Sequence, residues 1–283
     1  MTVTDLRSLV ARPGANDVLY ADVCLPGRPL FLRSACPRNV SPRTPVLFVH
    51  HGDLRNGGEF RDFWRPLVDE AHLLVIAMEF SSTMYPGAEW YTLGNRVDGE
   101  GRANPREEWT YGVPGRLFAA LRTQGITTRR RYGLFGHSSG GQFVHRLISL
   151  GFHDADAVAA TANAGTYAMP DLDVAFPYGL GGTDLDDRAL RALLAFRLTV
   201  FAGTADVDAT SPHFPHEVAA MRQGPTRVAR AHAYMAAARA AATRYRVPCA
   251  WTIIDVADVG HDGNRMSEAA APVLAAALHA AEA

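Results

Sequence analysis

The chain has 283 residues, 28 basic and 29 acidic side chains and a formal net charge of −1. It is long enough to bury a large core in one α/β domain with insertions, and it lacks the like-charge run of a nucleic-acid arm or membrane-surface patch. Every basic residue is arginine and none is lysine, which excludes Schiff-base and Ser-Lys chemistry.

Cys24, Cys36 and Cys249 form no C-x-x-C arrangement, so they read as free thiols and not as a disulfide framework or zinc site. The opening Met1 to Arg7 has no apolar core of signal-peptide length, and no apolar run could span a bilayer; cytoplasmic residence is the default expectation.

Val18 to Val23 and Pro29 to Arg33 are short β-prone runs separated by Pro26-Gly27, the pattern of an antiparallel hairpin at a sheet edge. Pro45 to His50 is continuously apolar, which suits a strand covered on both faces of a parallel sheet. A glycine-bearing loop, His51 to Gly58, leads to Phe60, Phe63, Trp64 and Leu67 at helical spacing, and Leu73 to Met78 is a second buried strand. The polar segment from Glu79 to Tyr111 is longer than a plain connection, and a connection of such length is usually functional or disordered. Its Trp90, Tyr91, Trp109 and Tyr111 either line a site or anchor the loop.

A helix over Gly115 to Leu121 feeds the aromatic and aliphatic run Tyr132 to Phe135, which breaks at Gly136 and restarts as a helix ending near Gly151. Ala155 to Ala162 reads as the next strand, closing on Asn163 to Tyr167, before a loop-like stretch from Met169 to Asp187 and a helix over Asp187 to Phe196. Leu198 to Ala202 is a strand, Val207 to Thr226 a second loop-rich insertion carrying His213 and His216, and Arg227 to Tyr245 a long helix. Ala250 to Val256 is the last strand and Ser267 to Ala280 the closing helix. Alternation of strand and helix from Val46 onward predicts a mostly parallel, doubly wound sheet. We expect a single domain over 1–283, with 79–111 and part of 169–226 inserted over the site.

Gly136-His137-Ser138-Ser139-Gly140 fits G-x-S-x-G, a nucleophile elbow in which a serine sits on a strained strand-to-helix turn. A serine hydroxyl is a poor nucleophile near neutrality, so Ser138 needs a base and a group to orient that base. In an open α/β sheet these helpers belong at the carboxyl ends of strands. Asp206 follows one strand in a Gly-x-x-Asp turn, with Asp208 as its rival, and His261 follows the last strand between Gly260 and Gly263. His137 reads as shaping the turn, and His213 with His216 make only a weak metal signal. The oxyanion of a tetrahedral intermediate needs two N–H donors. Ser139 supplies one, and Asp53 the other, with Leu54 next in line; the Asp53 carboxylate must then turn outward or pair with Arg55.

His50-His51-Gly52, the elbow at Ser138, the turn at Asp206 and Gly260-His261 together resemble the α/β-hydrolase superfamily over almost the whole chain. Gly140-Gly141 and the compact size resemble its esterase and polyhydroxyalkanoate-depolymerase-like branches. The resemblance implies the α/β-hydrolase fold, with helices on both faces of the sheet and loop or lid insertions. It also implies hydrolysis of a carboxylic ester or related acyl bond through an acyl-serine, with no cofactor and no metal. The partner is then a small-molecule or oligomeric ester, with no nucleic acid and no membrane, and Trp90, Trp109, Tyr111 and Tyr167 are its expected contacts. Acyl transfer with the same residues, or a non-catalytic binding protein on the same fold, are the alternatives.

Overall fold

A computed structural model describes residues 4–153 and 157–280 of the chain. The hairpin at the amino end is β1 (Gly14–Tyr20) and β2 (Leu30–Cys36), antiparallel, with Gly14 opposite Cys36 and Tyr20 opposite Leu30. Next come β3 (Val46–His50), α1 (Gly57–Trp64), the single turn α2 (Val68–Ala71) and β4 (Leu74–Glu79). Then follow α3 (Val113–Thr123), β5 (Gly133–His137), α4 (Ser139–Ser149) and β6 (Val158–Ala162). The chain continues through α5 (Asp187–Ala195), β7 (Leu198–Gly203), the short α6 (Val218–Met221) and α7 (Arg227–Tyr245). It closes with β8 (Thr252–Val256) and α8 (Gly263–Ala280).

These strands form one eight-stranded sheet in the order β1-β2-β4-β3-β5-β6-β7-β8. Only β2 runs against the others, since every pair from β4 to β8 is parallel. The expected strand start at Ala155 lies outside the described residues, as do the first three and last three positions of the expected domain; the described strand begins at Val158.

Both faces of the central strands are covered, which is why Val46 to His50 reads as continuously apolar. Val46 and Phe48 face the cluster built with α3, α4, α5 and α7, whereas Leu47 and Val49 face the one built with α1 and α8. The carboxyl ends of β3, β5, β7 and β8 therefore meet on one rim, as a doubly wound sheet requires.

Element ends depart from the expectation: β1 begins at Gly14 and not at Val18, and β2 runs on to Cys36 and not only to Arg33. α8 starts at Gly263 and not at Ser267, because the Asp262 carboxylate accepts the N–H groups of Asn264 and Arg265 and caps the helix. The 79–111 connection has order of its own, with 3₁₀ turns over Arg106–Glu108 and Thr110–Gly112 and an antiparallel bridge from Val97 to Ala103. Cys24, Cys36 and Cys249 are free. Among the described residues no helix is long and apolar enough to cross a membrane.

Candidate active site

Ser138 lies between the last residue of β5 and the first of α4, at φ 57° and ψ −119°. A side chain in such a conformation costs on the order of 1–3 kcal/mol and persists only where its surroundings impose it. They do so here. A Cβ at Gly136 would drive into the Gly140 carbonyl, and one at Gly140 into the His50 carbonyl of β3. The Ser138 N–H donates to Ala162 O at 2.9 Å, while its carbonyl accepts from Gln142 N–H at 3.0 Å.

His261 enters from the turn between β8 and α8. Its Nε2 is 3.0 Å from Ser138 Oγ and its Nδ1 is 2.7 Å from Asp206 Oδ2. A carboxylate accepts and does not donate, so Nδ1 carries the proton and Nε2 turns a lone pair toward the serine hydroxyl. Asp206, in the turn that follows β7, is 2% exposed. Its other oxygen, Oδ1, is 3.5 Å from Nη1 of Arg227, the equally buried first residue of α7. Asp208 does not compete: it is exposed and accepts from the N–H and hydroxyl of Thr210.

His137 is buried beneath this chain of groups, its ring 4.6 Å from that of His261 and 6.1 Å from Phe60. Burial, reinforced by the neighbouring His261 and Arg227, holds its pKa well below the ordinary histidine value. A neutral ring therefore supports His261 and adds no competing charge.

No family model matches the chain, and no curated protein does. Solved structures do. LpqC, a poly(3-hydroxybutyrate) depolymerase from Bordetella parapertussis, is 38% identical over 93% of this chain and 89% of its own, with a TM-score of 0.88. The chain belongs to the α/β-hydrolase superfamily. Within it, this α/β-hydrolase sits in the esterase-like branch with LpqC and with poly(aspartic acid) hydrolase-1 from Sphingomonas sp. KT-1. The latter is 34% identical over 93% of this chain and 99% of its own, with a TM-score of 0.87. An S-formylglutathione hydrolase from Agrobacterium tumefaciens shares the fold at 15% identity, over 94% and 95% of the two chains, with a TM-score of 0.56.

The loop facing the elbow of this hydrolase is held from below. His51 accepts from Phe80 N–H at Nε2 (3.0 Å), so its Nδ1–H donates to Gly52 O (2.9 Å). Burial lowers its pKa to about 3 and keeps it neutral. The Tyr91 hydroxyl donates to His51 O at 2.8 Å, and its ring packs 4.7 Å from the imidazole. Arg55 N–H closes a turn onto Gly52 O, with Asp53 and Leu54 at its corners. Among the described residues the Asp53 N–H has no acceptor, and Gly52 lies directly beside Ser138. The Asp53 carboxylate turns outward to His213 Nδ1, 3.1 Å away. Arg55 is not its partner, because its guanidinium is taken by the carbonyls of Phe80, Tyr85 and Gly87.

Two cavities open beside Ser138 and share Asp53 and His213. The smaller, about 270 Å³, contains Ser138 and His261 and is walled by Leu54, Phe60, Phe63 and His137. The larger, about 640 Å³, runs from Ser139 past Gln142 and Arg146.

Trp90, Trp109, Tyr111 and Tyr167, the expected substrate contacts, line neither. Trp90 is half-buried under the guanidinium of Arg28, and Trp109 donates to Asn104 O between Arg96 and Arg106. Tyr111 is buried against Phe143 with its hydroxyl on Thr92 O, and Tyr167 stacks on Tyr234. The aromatic content of the 79–111 connection thus anchors it to the core.

Sequence reasoning passed over Arg227 and assigned no role to Gln142, Arg146 or Thr166. Their signal is weak: a helix-start arginine, and polar positions at 139, 142 and 146 on one face of a helix that also carries His145 and Ser149.

Proposed function

We propose that the protein is a serine hydrolase that cleaves a carboxylic ester, or a related acyl bond, through an acyl-serine intermediate. The observation that carries this reading is the unbroken chain Ser138 Oγ–His261–Asp206, with contacts of 3.0 and 2.7 Å. His261 Nε2 takes the hydroxyl proton as Ser138 Oγ attacks the carbonyl carbon. The N–H groups of Ser139 and Asp53 hold the oxygen on which charge develops. His261 then gives its proton to the departing oxygen, and water, deprotonated by the same imidazole, releases the acyl group. Asp206 keeps the imidazole in the correct tautomer and stabilises its cationic form, and Arg227 holds the far oxygen of that carboxylate.

The smaller cavity opens onto Ser138, and the outward turn of Asp53 keeps its negative charge off the oxyanion. The relatives are named for a polyester and a poly(amino acid), which supports an oligomeric substrate of repeating acyl units. The test is a panel of acyl and aryl esters, amides and short polyesters, run with fluorophosphonate labelling. Wild-type protein should turn over esters and take the label at Ser138. Ser138→Ala should lose both, with turnover down roughly 10⁴-fold or more and an unchanged melting transition. Folded wild-type protein that takes no label would overturn the proposal.

A further inference from the structure

The larger cavity has a floor whose hydrogen-bonding polarity can be worked out atom by atom. Ser139, Gln142 and Arg146 are three and seven residues apart on α4 and so form one stripe of the helix, starting at the residue that supplies the elbow N–H. Arg146 Nη2 donates to Thr166 Oγ1 at 3.0 Å, and Thr166 Oγ1 lies 2.9 Å from Gln142 Oε1. An arginine can only donate. The threonine hydroxyl accepts from Arg146 and donates its own proton to Gln142 Oε1, which turns the amide oxygen inward. Gln142 Nε2 remains as a donor, and among the described residues it has no acceptor.

Arg146 is 2% exposed and carries an unpartnered Nε–H as well. Its other bonded partner is the neutral carbonyl of Thr92, at 3.0 Å. Among the described residues no carboxylate pairs with it, and the groups that raise its pKa against the lowering effect of burial are tyrosines only. The two carboxylates of the cavity lining, Asp53 and Glu217, are exposed, and Asp53 is engaged by His213. Arg55 adds a second cation to the lining. A buried, uncompensated guanidinium is expensive, and the donors left without an acceptor at Arg146 Nε and Gln142 Nε2 are complementary to an anion.

We propose that this cavity binds a carboxylate carried by the substrate, with Arg146 and Gln142 as the residues that select for it. The seven-residue stripe is roughly 10 Å long at about 1.5 Å per residue, and long side chains lean back toward the helix start. The carboxylate accordingly sits several bonds from the scissile carbonyl, at the end of an acyl or alcohol chain. The proposal rests on the acyl-serine reading for turnover but not for binding.

The experiment compares esters that differ only in this charge. On the acyl side these are mono-nitrophenyl esters of succinate, glutarate and adipate against their methyl-capped forms. On the alcohol side they are acetyl esters of hydroxyalkanoic acids against the methyl-capped forms. In at least one arm the wild type should favour the free carboxylate by about tenfold or more in kcat/KM, through KM, the size expected of hydrogen bonds to a charged group. Arg146→Met should bring that ratio near one, and Gln142→Leu should lower it several-fold. A wild-type ratio near one in both arms, or a ratio that survives both substitutions, overturns the proposal.

If Arg146→Met does not fold, Gln142→Leu decides alone. Calorimetry with glutarate and Ser138→Ala protein separates the two readings. Glutarate binding that Gln142→Leu abolishes upholds the carboxylate site even if no ester is cleaved, whereas ester cleavage without glutarate binding or charge preference leaves hydrolysis standing and removes the site.

Discussion

The elbow at Ser138 and the loop at His51 to Asn56 face each other across the same rim and would each supply one N–H to the oxyanion, yet they are built on different principles. At the elbow, backbone meets backbone: Gly136 and Gly140 pack against main-chain atoms, and Ser138 is pinned on both sides by main-chain hydrogen bonds. In the loop, shape comes from side-chain bonds to distant parts of the chain. His51 is bonded to Phe80 N–H and Tyr91, Arg55 to three carbonyls of the 79–87 segment, and Asp53 to His213 of the second insertion. A nucleophile carried on backbone sterics tolerates no change. An oxyanion donor carried on side chains can be tuned by residues far from it in the chain.

That contrast can be broken hardest at the elbow. Gly140→Ala should cost roughly 3 kcal/mol or more, since the new methyl meets the β3 backbone and not a flexible side chain. Urea unfolding measures it, and a midpoint unchanged from wild type would show that the turn can relax.

The loop should respond to acid. The pKa of His51 falls from an ordinary value of 6.5 to about 3 in the folded chain. Above pH 6.5 neither state holds the extra proton, and between 6.5 and 3 only the unfolded chain does. Stability should therefore fall as pH falls through this window, by up to about 1.4 kcal/mol per pH unit from this residue. His50, His137 and His145 are shifted the same way by burial, so the share of His51 is read as the slope removed by His51→Asn in urea titrations at several pH values.

Tyr91→Phe deletes only the hydroxyl that holds His51 O. We expect a stability loss of about 1–2 kcal/mol and turnover lowered several-fold with KM little changed. A turnover equal to wild type would mean that the loop does not depend on its floor.

The smallest effect is expected at the rim. His213→Ala frees the Asp53 carboxylate to swing toward the oxyanion, and turnover should drop about threefold, in line with the modest worth of exposed charge pairs. Adding Asp53→Asn should restore it. Failure of that rescue would show that His213 acts through the cavity wall and not through Asp53.

Much of the fold is legible in the chain because period and turn chemistry are written in neighbouring residues. The apolar run at Val46 to His50 is a strand buried on both faces, and the helix over Arg227 to Tyr245 has the bounds its alanine-rich stretch suggests. The glycines around Ser138 announce a tight turn, and the order Ser138, Asp206, His261 names three strand ends that the sheet brings within 3.0 Å contacts. The missed α8 start shows the limit of this reading: Asp262 is a capping residue, but only the geometry of its carboxylate shows which helix it caps.

What only the tertiary structure decides is where side chains on long connections go. Trp90, Trp109, Tyr111 and Tyr167 carry the same local signal whether they line a pocket or seal a core, and they turn away from the cavities because partners from other elements claim them: Arg28, Asn104, Phe143 and Tyr234. Arg227 reaches Asp206, and Arg146 reaches Thr166, across turns of the fold that no local pattern reveals. Periodicity and backbone sterics act between neighbours and survive in a one-dimensional string, whereas pairings of charge and hydrogen-bond donors between distant residues exist only once the sheet has brought them together.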